Sequence, residues 1–260
     1  MTDKVLEKNK DNLIEEMFNA GAHYAYSRSK RHPSTSKSIF GIKNKMEIID
    51  LEKTVEMLAK AEEFVANLAK EEQKILFVGT KNESRSVIEL MAPSVGVPFV
   101  INRWIGGTLT NFDEIKKRLK ILQELTEKKE KGELGGYTKK EKLMIDRKIA
   151  DLEKTFGGLL PMVDALPKAL FVIDPKREFI AVKEAQVLGI PVVALANSDC
   201  DISEINYPIL ANDSALSSVK FFTNRIVDAY KRGSSEKKTE QKEGEQKKTN
   251  EVVYKKPAQA

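Results

Sequence analysis

One cysteine, two histidines and one tryptophan are all that 260 residues provide of the side chains most often found in catalytic and metal sites. A lone Cys200 excludes an intramolecular disulfide and fits a reducing compartment. The histidines, His23 and His32, share one N-terminal stretch, so no His/Cys cluster with metal-ligand spacing can form and no metal is expected. There is no G-x-S-x-G elbow, no G-x-G-x-x-G and no G-x-x-x-x-G-K-[ST] phosphate cradle. No apolar run approaches the roughly 18 residues of a membrane span. The opening MTDKVLEKNKDNLIEEMF mixes both charge signs around no apolar centre, unlike a secretory leader. These absences point to a cytoplasmic protein with no membrane segment, no cofactor and few catalytic tools.

Hydrophobic residues make up 41% of the chain, enough for a packed core, while charged residues reach 32%, so some helices are expected to stand in solvent. Five runs read as buried strands: KILFVGT (74–80), VPFVIN (97–102), ALFVID (169–174), PVVALAN (191–197) and YPILAN (207–212). Most are continuously apolar, the pattern of parallel strands covered on both faces. Helical stretches at 52–70, 84–92 and 178–188 separate them, which predicts right-handed crossovers and a doubly wound α/β sheet. Between the second and third strands the rhythm breaks. Phe112, Ile115, Leu119 and Leu122, then Ile145, Ile149, Leu152 and Phe156, trace one apolar seam along each of two helices. A glycine-containing turn with a Thr138/Glu141 capping box joins them. The expected result is an antiparallel helical hairpin projecting from the sheet domain; the alternative is two ordinary helices folded back over the core.

The expected organisation is therefore an N-terminal helical segment (1–20), a basic loop with a short hairpin (21–50), an α/β domain in two pieces (51–111 and 157–232), the helical insertion (112–156) and a tail (233–260). The tail is lysine, glutamate, glutamine, serine and threonine with little to bury, and is expected to be disordered.

Chemistry on a doubly wound sheet belongs at the carboxyl ends of the strands. There the chain offers Lys81 and Arg85 as weak phosphate candidates, and Asp199 and Asp201 in a loop better read as a turn than as a metal site. Acidic neighbours should raise the pKa of Cys200 rather than activate it.

The strongest asymmetry lies at 22–45, AHYAYSRSKRHPSTSKSIFGIKNK. Arg28, Lys30, Arg31, Lys37, Lys43 and Lys45 stand there without one acid, interleaved with Tyr24, Tyr26, both histidines, serines and Thr35. Lysine and arginine neutralise phosphates and release counterions, and aromatic rings stack on unpaired bases. The stretch is a candidate nucleic-acid surface. A second candidate is NRWIGGTLTN (102–111), where Arg103 follows a strand and the Gly106–Gly107 pair allows close backbone approach. Trp104 is either a core anchor at the base of the insertion or a stacking platform.

Several collinear stretches are similar to one known family: AGAHY (20–24), IFGIKNKMEIIDLEKT (39–54), KILFVGTK (74–81), NRWIGGTLTN (102–111), the turn between the insertion helices, and ALFVIDPKREFIAVKEAQVLGIPVVAL (169–195). Over residues 13–232 the chain resembles the bacterial small-subunit ribosomal protein two family. The resemblance implies a flavodoxin-like fold with a coiled-coil insertion. It also implies a non-catalytic place in the small ribosomal subunit in contact with ribosomal RNA and neighbouring ribosomal proteins, including ribosomal protein one, and no small-molecule substrate. Asn44, Lys45, Arg103 and Trp104 match the family pattern as they stand, as does His23. The chain departs from it at Ala25-Tyr26, where the family usually has Gly-His, at 31–35, where it commonly has Trp-Asn-Pro-Lys-Met, at Leu195-Ala196 and at Cys200. The loop is rewritten and stays basic. Two other readings remain: a small-molecule binder using Lys81, Arg85 and Asp199, and an adaptor whose helical hairpin recruits another protein.

Overall fold

The computed structural model describes residues 2–254, with side chains described over 10–133 and 136–237. The chain opens with helix α1 (Thr2–Asn19) and then forms strands β1 (Tyr24–Ser27), β2 (Ile39–Lys43) and β3 (Met46–Ile49). These make a small antiparallel sheet in the order β1-β3-β2. Its β2–β3 turn holds Asn44 and Lys45 at φ of 51° and 65°. Two left-handed central residues give the turn whose twist matches that of the flanking strands, and asparagine tolerates that conformation better than most residues.

Helix α2 (Leu51–Lys70) starts on Asp50, whose side chain accepts the Glu52 amide, and buries Leu58, Ala61, Val65 and Leu68 at helical spacing. The main sheet then begins with β4 (Ile75–Val78), α3 (Asn82–Met91) and β5 (Phe99–Val100). Two helices interrupt it, α4 (Phe112–Glu130) and α5 (Lys139–Phe156). It resumes with β6 (Ala169–Ile173), α6 (Phe179–Val187), β7 (Val192–Ala196), β8 (Tyr207–Leu210) and α7 (Leu216–Tyr254). The sheet has five parallel strands in the order β5-β4-β6-β7-β8. Counted along the sheet-forming strands alone this is 2-1-3-4-5, the flavodoxin-like order with its reversal point beside the first strand.

Strand pleating explains the continuous apolar runs. Ile75, Phe77, Phe171 and Ile173 point to one face and pack with α1, α2, α3 and α7. Leu76, Val78, Leu170 and Val172 point to the other, against α6 and the base of the insertion. Neither face meets water, so no polar alternation is needed.

The insertion is anchored at one end. Ile115 and Leu119 of α4 and Phe156 of α5 belong to the sheet's second core, whereas Tyr137, Leu143 and Met144 are exposed. Between these ends Lys129 pairs with Asp146 across the two helices at 2.8 Å, and Thr138 and Glu141 complete their capping box. Where the chain returns to the domain, a Cβ on Gly158 would lie 2.3 Å from the Phe99 carbonyl oxygen, a distance no side chain can occupy.

Helix α7 continues beyond Arg232. Gly233 packs directly on α2, where a Cβ would fall 2.0 Å from the Ala66 carbonyl oxygen. Lys237 then pairs with Glu72 at 2.9 Å. The end of the expected tail, residues 255–260, lies outside the described residues.

Candidate nucleic-acid interface

At the carboxyl end of β4 the protein's own side chains occupy the place a phosphate would take. After β4, the Thr80 amide and hydroxyl both donate to the buried Glu178 carboxylate, which places an acid beside the start of α3, where a phosphate would have to sit. Lys81 turns inward, 3.2 Å from Asp213 and 3.5 Å from Asp174, and donates to Ser214 Oγ at 2.9 Å. Burial lowers the pKa of its ammonium, and the Asp213 and Asp174 carboxylates more than offset this. Arg85 donates to the Thr80 carbonyl at 3.1 Å. Lys81 is thus committed to carboxylates within the fold, whereas Arg85 is half-buried and meets only carbonyl oxygens. Asp199 pairs with Lys176 at 2.8 Å, while Asp201 lies 3.6 Å from His32, so the two aspartates serve different partners. Among the described residues no three His, Cys, Asp or Glu side chains converge as a metal site would require. Burial first, then Asp199 and Asp174, push the Cys200 thiol up to about 12, so it stays protonated and unreactive.

Asp174 sits at φ 63°. Burial, followed by the adjacent Asp213 carboxylate, pushes its carboxyl from 3.8 up to about 6 against the pull of Lys81. The folded state holds this proton more tightly than the unfolded chain. Its contribution therefore favours the fold below about pH 4 and is lost as pH rises through about 6. The swing is on the order of 3 kcal/mol. Asp174→Asn cannot ionise, and asparagine tolerates positive φ. Relative to the natural chain the variant should gain stability between about pH 4 and about pH 7, measured by urea unfolding at both values; an unchanged difference would contradict this account.

The basic segment is bonded to the loops at the same end of the sheet. The Ser198 carbonyl accepts from the His32 amide at 2.8 Å and from Thr35 Oγ1 at 2.9 Å, and Ser198 Oγ accepts from the Tyr26 amide at 3.2 Å. Ser34 Oγ accepts from the Ile202 amide, and the Tyr26 hydroxyl meets Ser214 Oγ at 3.1 Å. With its underside fixed, the segment exposes Arg28, Lys30, Lys37, Lys43, Asn44 and Lys45. Lys30 lies over the Tyr26 ring, 5.3 Å from its centroid.

Two candidates in this stretch turn inward instead. Arg31 bonds at 2.9 Å to Glu47, which is fully buried, so its charge is balanced inside the protein. His23 is 7% exposed, stacked on Phe18 at 4.2 Å and against Tyr24 at 4.0 Å. Burial and Lys43 lower its pKa, which favours the neutral ring. It holds the small sheet to α1 and offers no free face to a base.

In the 102–111 loop Arg103 and Gly106 are exposed and Trp104 is 6% exposed. The indole packs in the second core and donates Nε1–H to Glu184 of α6 at 3.0 Å. Of the two readings of Trp104 the structure selects the core anchor, because a ring packed inside the core cannot stack on a base. Glu184 Oε1 also accepts the Gly107 amide at 2.8 Å, and Oε2 accepts the Leu109 and Thr110 amides at 3.0 and 3.2 Å. Gly107 adopts φ 89°, the left-handed value this wrap requires. Gly107 and the tryptophan fold the loop around a buried carboxylate.

The resulting surface has basic and polar side chains outside, with a hollow of about 200 Å³ beside Lys176, Cys200 and Asp201 and another of about 420 Å³ beside Glu89, Asn102 and Glu153. The profile of the ribosomal protein S2 family matches residues 17–233. The chain belongs to the ribosomal protein S2 family. It is 39% identical over 228 residues to the small ribosomal subunit protein uS2 of Chloroflexus aggregans, an overlap covering 88% of this chain and 95% of that one. It is 40% identical over 223 residues to uS2 of a Roseiflexus species, covering 86% and 85%, and 40% identical over 233 residues to uS2 of a Nitratiruptor species, covering 90% and 86%. S2 proteins are structural rather than enzymatic.

Sequence reasoning missed the residues that shape this S2 surface from below: Glu184, Glu178, Glu47 and Ser198. One signal was available for Glu184. It lies three residues after Ala181 and two after Val182 in helix α6, and i,i+3 positions share a helix face, so an acid was bound to fall near the core. Its partners lie more than 70 residues away and could not be read locally.

Proposed function

We propose that this protein is a structural constituent of the small ribosomal subunit that binds ribosomal RNA through the exposed side chains of 28–45 together with Arg103, and acts in translation and subunit assembly without catalysis. Membership of the S2 family supports the structural role in the small subunit, on the cytoplasmic ribosome. The observation that carries the RNA reading is the acid-free row of Arg28, Lys30, Lys37, Lys43 and Lys45, held outward by a segment whose underside is bonded to the sheet. Such an array neutralises phosphates without reading bases, so affinity should fall steeply as salt rises. The two-helix insertion is read as a projecting coiled-coil hairpin, supported by the buried seam of Ile115, Leu119, Leu122, Ile149 and Phe156 and by the exposed, charged remainder.

Protein neighbours need an apolar seat, and the small sheet provides one. Phe40 is 81% exposed, and Phe18, Tyr24 and Ile42 are exposed beside it around a hollow of about 330 Å³. Isolated exposed apolar residues are ordinary, but a contiguous group at the rim of a basic surface marks a contact. This patch is the candidate seat for ribosomal protein one. Filter binding of purified small-subunit RNA from low to high salt tests the RNA reading: log affinity should fall linearly with log salt. An affinity indifferent to salt would contradict it.

A further inference from the structure

Among the described residues, no carboxylate stands beside the Arg103 side chain to fix its direction, but the loop that follows it, from Trp104 to Thr110, is bonded to one buried carboxylate. It belongs to Glu184, which is 8% exposed. Its Oε1 accepts from Trp104 Nε1 and the Gly107 amide, and its Oε2 from the Leu109 and Thr110 amides and from Thr110 Oγ1 at 3.3 Å. A buried charge is tolerated when hydrogen bonds satisfy it, and here backbone dipoles and an indole do so from one side. Burial raises the pKa of the Glu184 carboxyl, and the bonds from Trp104, Leu109, Gly107 and Thr110 outweigh that effect, so the ionised form is favoured.

The bonding divides the loop into two sides. Trp104, Gly107, Leu109 and Thr110 bind inward to the carboxylate. Arg103 and Gly106 make none of these bonds and are exposed, and a Cβ on Gly106 would meet open space. A loop free to move would scatter Arg103 over many positions and lose ordering entropy on each encounter with a phosphate. We propose that Glu184 is the positioning residue of the RNA-facing loop, fixing through the 104–110 backbone the direction in which Arg103 meets an RNA phosphate. This inference rests on the reading of Arg103 as an RNA contact.

The test compares Arg103→Gln, Glu184→Gln and the double variant, using the salt dependence of binding to small-subunit RNA and amide hydrogen exchange at Gly107, Leu109 and Thr110. Glutamine keeps one acceptor but turns an N–H₂ toward amides that need an oxygen. Glu184→Gln should lose protection at those amides and flatten the log–log slope by roughly 0.7 to 0.9, the value of one phosphate contact. Arg103→Gln should flatten it equally with protection intact, and the double variant should go no further. A Glu184→Gln chain that exchanges faster but keeps the natural slope would make Glu184 a purely structural residue and overturn the proposal. An Arg103→Gln chain with the natural slope would instead overturn the contact reading beneath it. If Glu184→Gln fails to fold, Trp104→Phe removes one donor while keeping a ring in place. It should shift the slope in the same direction, and an unshifted slope with faster exchange would overturn the proposal.

Discussion

A chain in which Arg28, Lys30, Lys43 and Lys45 are all glutamine should bind small-subunit RNA with a log–log salt slope shallower by roughly three, since each phosphate left unneutralised removes about 0.7 to 0.9. The four side chains are exposed and, among the described residues, none is paired with a carboxylate. The fold should therefore be little changed, and the melting temperature should stay near that of the natural chain. Substituting Arg31 as well separates the two roles assigned within the same stretch. Removing its guanidinium strands the buried Glu47 carboxylate, which should cost stability on the order of 3 kcal/mol and leave the slope little changed further. Slope and stability measured on the same variants therefore distinguish residues that face RNA from residues that hold the segment in place. An undiminished slope in the fourfold variant would remove the basic segment from the interface.

Leu119→Ala should destabilise the protein by about 3 kcal/mol, whereas Leu143→Ala should stay within about 0.5 kcal/mol. Both residues lie on the insertion helices. Leu119 is fully buried and shares the core of Leu76, Val78 and Leu170, so truncation leaves a cavity beneath the sheet. Leu143, near the far end, is 51% exposed and loses little. In thermal unfolding the first should lower the midpoint by several degrees and the second should barely move it. Equal costs at both positions would mean that the far end of the insertion is packed rather than projecting.

These two experiments probe features that were legible in the sequence to different degrees. The parallel strands were legible because burial on both faces makes KILFVGT and PVVALAN continuously apolar, and the structure places β4 and β7 inside those runs. The insertion helices were legible from their seams, and the Thr138–Glu141 box from its spacing. Strand β1 was not, because Tyr24–Ser27 is short and owes its form to pairing with β3. The β2–β3 turn lacks glycine and reaches its left-handed geometry with Asn44 and Lys45 instead. At Gly233 composition reports polarity but not packing. In the fold its missing side chain is what allows α7 to touch α2.

The candidate interface was legible as charge and illegible as geometry. Net positive charge over 22–45 is a local property, and its exposed members are where the sequence placed them. Which cations are free is not local. Arg31 depends on Glu47, Lys81 depends on Asp213 more than 130 residues away, and Trp104 depends on Glu184. A basic residue in a sequence carries a charge; only its neighbours decide whether that charge faces outward.

The central claim is that the protein works as a fixed part of the small ribosomal subunit. Sedimentation of native lysate on sucrose gradients at low and high salt, with the chain followed by mass spectrometry, tests this most directly. Co-migration with the small subunit and with whole ribosomes is expected at low salt, and partial release at high salt as phosphate contacts are screened. Recovery in the soluble fractions at low salt, with none on the small subunit, would contradict it.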